Sequence, residues 1–175
     1  QKSAEAHALS ILRQRPDQPY ANFIMGSIRL EQGLYGDAET YLRRSANGAA
    51  PTLAALNNYA QVLCRIRKLE EAEKVARRAV EFSADRYEGW ATLAFVLAEK
   101  GDPEHAAESL AKARKANDKD TRLYLVDALI AVKRGDPDAA EKALSSVRGE
   151  SELSVADRRE WTGLREEIAR LRRAK

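Results

Sequence analysis

The chain has 175 residues, 44% of them hydrophobic but only 6% aromatic, with a net charge of +3 and one cysteine, Cys64. A single cysteine excludes an internal disulfide framework and a cysteine-based metal site, and no apolar run reaches the roughly 18 residues that a membrane-crossing helix needs. The charge is unevenly placed: residues 155–175 hold seven basic and four acidic side chains, leaving the rest neutral.

Residues 1–18 read as one amphipathic helix, the second half of a hairpin whose first half is missing, because Ala4 and Ala8 lie 34 residues before Ala38 and Leu42. From this end we expect either a longer array from which the chain is an excerpt or a covering partner. The first complete hairpin spans 19–52 and turns through Gln32–Gly36, where Gly33 can take the left-handed conformation that closes a helix. The second spans 53–86 and turns at Arg67-Lys68 without glycine, which predicts strain or a helix one residue longer.

The third hairpin, 87–120, is the most complete. Trp90, Leu93, Ala94 and Leu97 fall at i, i+3, i+4 and i+7, and Ala106, Leu110 and Ala113 resume the pattern after Gly101-Asp102-Pro103. Glycine ends one helix, aspartate accepts from the first free amides of the next, and proline suits its first turn. Gly135-Asp136-Pro137 repeats that signal in the fourth hairpin, 121–153. After a loop at Gly149-Glu150-Ser151, Ser154 and Asp157 are spaced as a capping box for a last helix within 154–175. Trp161, Leu164, Ile168 and Leu171 form its apolar stripe, as a solvating end cap requires. Pairing with a second chain as a coiled coil is the alternative, for which two heptads are too few.

These units share a period of 34 residues with no insertion. Gly26, Ala60, Ala94 and Ala128 occupy one register and Ala38, Ala72, Ala106 and Ala140 another. Helices whose axes approach within about 8 Å need such small residues at the crossing. Two positions depart: Asn22 stands where Leu56, Trp90 and Tyr124 are bulky, and Arg67 stands in the glycine register. From Pro19 to about Arg148 the pattern of bulky and small residues resembles the tetratricopeptide repeat. That resemblance implies an all-α fold, a right-handed α-α superhelix (solenoid) of antiparallel helical hairpins with a C-terminal capping helix, stabilised repeat by repeat.

No catalytic constellation is visible. His7 and His105 are far apart and read as surface histidines without a carboxylate or cysteine at ligand spacing. Glu70-Glu71 and Glu166-Glu167 are adjacent and so point to different helix faces. No glycine-rich loop follows a strand, so no phosphate cradle is present, and no cofactor or metal is called for. Arg158, Arg159, Arg165, Arg170, Arg172, Arg173 and Lys175 could face nucleic acid, but the four interleaved acids argue for a solvated helix. The RNA-reading pentatricopeptide arrays have a period one residue longer.

In arrays that this chain resembles, first helices line a concave groove that takes an extended peptide or partner helix. That rule selects Tyr20, Phe23, Ser27, Leu30 and Glu31 in the first hairpin and Asn57, Gln61, Cys64 and Arg65 in the second. It selects Glu88, Ala91, Phe95 and Glu99 in the third, and Arg122, Leu125, Leu129 and Lys133 in the fourth. Tyr20, Phe23 and Phe95 are the expected anchors. The dicarboxylate clamp of chaperone-binding members fails here, since neither possible frame supplies paired cations: one gives Phe23, Ser27, Asn58, Glu88 and Thr92, the other Asn57, Gln61, Thr92, Arg122 and Val126. The asparagine ladder of some sugar-transferase arrays stops at Asn58, which continues as Thr92 and Val126.

The expected function is noncatalytic protein–protein interaction or scaffolding through that groove. Two alternatives stand: a spacer or self-assembly domain working end to end through residues 1–18, or the accessory domain of an enzyme or export machine. Without an initiator methionine or a charged-then-apolar leader, the true start is expected to be missing. The compartment stays open between cytoplasm and periplasm.

Overall fold

The computed structural model describes residues 2–147 and 153–174, and all regular structure among them is helical. The chain divides into two compact units, Gln1–Ser83 and Ala84–Lys175. In the first, α1 (Lys2–Gln14) packs against α2 (Pro19–Gln32), which pairs with α3 (Tyr35–Ala46). Next, α3 meets α4 (Leu53–Arg65), and α4 pairs with α5 (Leu69–Phe82). In the second unit α6 (Tyr87–Lys100) pairs with α7 (Pro103–Ala116), and α8 (Thr121–Lys133) pairs with α9 (Pro137–Ser145). The final α10 (Val155–Arg173) packs on α8 and α9.

Helix ends fall where the residues direct them. Asp102 accepts from the amide of His105 at 3.2 Å, and Asp136 accepts from the amides of Asp138 and Ala139 at 3.2 and 3.0 Å. These bonds satisfy amides that have no intrahelical partner, and Pro103 and Pro137, which lack one, sit beside them at the first helical position. Thr52 caps α4 in the same way.

At the turn inside each hairpin, Gly33, Gly101 and Gly135 take φ of 76°, 90° and 72°. Arg67 takes φ 62° in the same register. Its amide donates to Cys64 O at 3.0 Å and that of Lys68 to Leu63 O at 2.9 Å, the same pair of bonds that closes α2, α6 and α8. The helix is therefore not lengthened. Arginine bears the left-handed backbone that glycine bears elsewhere.

All the small residues of the two registers are buried. Gly26 leaves no room for a side chain: a Cβ there would stand 2.5 Å from Leu42 Cγ and 2.8 Å from Cδ2 on α3. Met25, Leu42, Leu56, Tyr59 and Leu63 fill the first unit around such crossings, and Leu93, Leu97, Leu110, Leu123 and Ile130 fill the second. At α1, Ala8 packs with Ala21 and Met25, with Leu9, Ile11 and Leu12 partly buried around them.

The predicted loop at Gly149–Ser151 lies outside the described residues. Ser154 caps α10 through the amide of Asp157 at 3.1 Å, and its hydroxyl donates to the Asp157 carboxylate at 2.7 Å. Leu164 and Ile168 are buried, Trp161 and Leu171 half-buried, and Arg172 reaches Asp138 at 3.2 Å and Glu141 at 3.9 Å on α9.

Candidate functional site

In the first unit the sequence-selected residues lie along α2 and α4. Tyr20 is 65% exposed, and its ring lies 6.4 Å from that of half-buried Phe23, tilted by 35°. One turn on, the Ser27 hydroxyl accepts from Asn58 Nδ2 at 3.0 Å, tying α2 to α4. Gln61 is half-buried and Arg65 exposed, whereas Leu30 and Cys64 are buried. Asn57 is 8% exposed, and its Oδ1 is buried without a hydrogen-bond partner among the described residues.

The second unit treats its share differently. Phe95, Leu125 and Leu129 are only 9%, 3% and 2% exposed. They belong to packed helices, since α6 lies against α8 and α8 lies under α10. Apart from half-buried Ala91, the accessible selected residues there are charged. Glu88 receives the Arg86 guanidinium at 2.5 and 3.1 Å, and that bond holds its carboxyl below the ordinary range. Glu99 lies 3.7 Å from Lys133.

Arg122 sits in a network that crosses from the start of α8 to the start of α6. Its Nε and Nη2 donate to Asp120 at 3.1 and 2.9 Å, and Nη2 also reaches the Tyr87 hydroxyl at 3.1 Å. The Tyr87 hydroxyl donates in turn to Asp120. Burial works to raise the Asp120 carboxyl, but hydrogen bonds from Arg122 and Tyr87 outweigh it and hold the group at about 2. Burial, and then that acceptor, pushes the Tyr87 phenol up. Sequence reasoning missed Tyr87 and Asp120, although their spacing of 33 residues, one short of the period, was available.

Asn22 was also missed as a contributor. It is fully buried, and its Nδ2 donates to Pro16 O at 2.8 Å and Gln18 O at 2.9 Å. The residue that breaks the bulky register thus supplies donors to the loop between α1 and α2.

Among the described residues no group of three or more His, Cys, Asp and Glu side chains could hold a metal ion. His7 and His105 are exposed. Against expectation His105 does have a carboxylate partner, Asp102 Oδ2 at 2.7 Å from Nδ1, because capping the helix brings the two side chains together. Among the described residues no helix is long and apolar enough to cross a membrane.

The family model described as tetratricopeptide repeat matches residues 2–54 and 92–154. Among curated proteins none matches. Solved structures do. YrrB, described as a TPR protein with an unusual peptide-binding site, shares 14% identity at a TM-score of 0.62, over 94% of this chain and 83% of its own. MamA shares 17% at 0.64, over 95% and 89%. TTC0263, a thermophilic TPR protein of Thermus thermophilus, shares 19% at 0.66, over 87% of each. At such identities the likeness is one of fold.

Proposed function

Because this chain belongs to the tetratricopeptide repeat family, a family whose usual role is protein–protein interaction, we propose that it is a noncatalytic binding module whose α2–α4 face takes a peptide or partner segment. The exposed Tyr20 ring beside half-buried Phe23 carries this reading. A folded helix gains little by leaving a tyrosine ring in water beside a second ring, whereas aromatic anchors contribute strongly to an interface. Ser27 bound to Asn58 fixes the spacing of α2 and α4 behind that pair, and Gln61 and Arg65 bring amide and charged groups to the same stretch of α4. The peptide-binding site described for the similarly folded YrrB supports the reading.

Of the residues selected in the second unit, Glu88, Glu99 and Arg122 are charged and accessible, while Phe95, Leu125 and Leu129 contribute packing within that unit. Peptides selected from a displayed library against the immobilised chain test the proposal. Tyr20→Ala combined with Phe23→Ala should weaken their binding by about tenfold or more, with helical content unchanged. Undiminished binding would remove this face as the site and favour a spacer or end-to-end assembly role.

A further inference from the structure

The fourth hairpin contains a cavity of about 360 Å³ among α7, α8 and α9, and the repeat register explains its origin. In the second hairpin Tyr59 is buried and its hydroxyl donates to Glu71 at 2.8 Å. Two periods later those positions are Asp127 and Ala139. Met25 and Leu93 fill the Tyr59 register in the other hairpins, both buried. In the same way Leu63 and Leu97 give way to Ala131. The fourth hairpin thus lacks the large side chains that close this space elsewhere.

What surrounds the space is chemically specific. Arg114 lies over the Tyr124 ring at 5.2 Å and pairs with Asp127 at 2.9 Å, forming one wall. Ile130, Ala131, Ala139 and Ala143 supply apolar surface. Of the other charged lining groups, Arg134 is held by Glu104 at 2.9 Å and Asp136 by the amides it caps. Lys142 has no ion-pair partner among the described residues. The volume is at the small end of ligand pockets, which run from about 300 to 1,000 Å³.

We propose that this cavity binds a small aromatic carboxylate. Its ring occupies the space that Tyr59 fills in the second hairpin, stacked toward Tyr124 and the Arg114 guanidinium, and its carboxylate meets Lys142. An aromatic residue of an acidic peptide shares this chemistry, so the test must separate the two.

The ¹⁵N-labelled full chain is titrated with phenylacetate, with acetate, and with the capped tripeptide Asp-Phe-Glu. Phenylacetate should give saturable shifts confined to amides around Ala131, Ala139 and Ala143, and acetate none. Asp127→Tyr combined with Ala139→Glu recreates the second hairpin's filling and should abolish the shifts. Lys142→Glu leaves the cavity intact and should weaken binding by roughly fivefold, which keeps the test decisive if the filled variant fails to fold. Non-saturable shifts, or unchanged binding in Lys142→Glu, would overturn the assignment. Tighter binding of the tripeptide than of phenylacetate would overturn the small-molecule source.

Discussion

Arg67 offers a sharp test of how backbone conformation divides stability among the repeats. Its φ of 62° falls in the region where L side chains crowd the following carbonyl, at a cost of about 1–2 kcal/mol per residue. Glycine there avoids that cost but gains freedom in the unfolded chain, worth about 0.4–1 kcal/mol. Arg67→Gly should therefore be more stable than Arg67→Ala by roughly 0.5–1 kcal/mol, the net of those two effects. Using alanine as the reference removes whatever the arginine side chain contributes from the comparison. The reverse change at Gly101, where φ is 90° and an added Cβ would meet nothing within 4 Å, should cost about 1 kcal/mol through the backbone alone. Urea unfolding followed by circular dichroism measures all three. Arg67→Gly no more stable than Arg67→Ala would refute the reasoning and mean that the turn relaxes out of the left-handed region at little cost.

Gly26→Ala should destabilise the first unit by about 1–3 kcal/mol in the same assay, because its methyl would press on Leu42 and on the backbone of α3; a loss below about 0.5 kcal/mol would show that α2 and α3 separate freely. Asn22→Leu, which restores the bulky register, should still cost about 1–3 kcal/mol, since Pro16 O loses its side-chain donor and Gln18 O keeps only the backbone amide of residue 22; a gain in stability would show that the Pro16 carbonyl is satisfied by solvent. Asp120 titrates lower in the fold, at about 2, than its ordinary 3.8. Its stabilisation is therefore complete above the ordinary value and lost as pH falls toward 2. Allowing for the half-exposed Arg122 partner, this is of order 1–2 kcal/mol. Asp120→Asn keeps the cap but should flatten the acid limb of a stability–pH curve, and an unchanged limb would sink the assignment.

The 34-residue spacing made the helices legible because the same small residues recur wherever two axes must approach. Turn chemistry then placed the boundaries, as at Asp102-Pro103 and Asp136-Pro137. The candidate face was less legible. A rule that assigns positions on first helices does not say which of them neighbouring helices cover, and Leu125 and Leu129 lie buried on α8, which packs against α6, α7, α9 and α10. Polar contacts were least legible. That Asn22 serves a loop follows from where that loop passes, which periodicity does not encode, and that Tyr87 meets Asp120 rests on a spacing one residue short of the period, which the 34-residue register passes over. Arg67 was legible only as a missing glycine.

The attachment of α10 sets an order of events. Only Leu164 and Ile168 are buried among its 19 residues, whereas α8 beneath it buries eight of 13. Opening of a packed element requires exposing what it buries, so α10 can lift away at far lower cost than α8 can unwind. Amide hydrogens of α10 should therefore exchange with solvent well before those of α8. Each excursion of α10 bares the part of α8 on which it packs, turning interior surface for a moment into a face open to solvent.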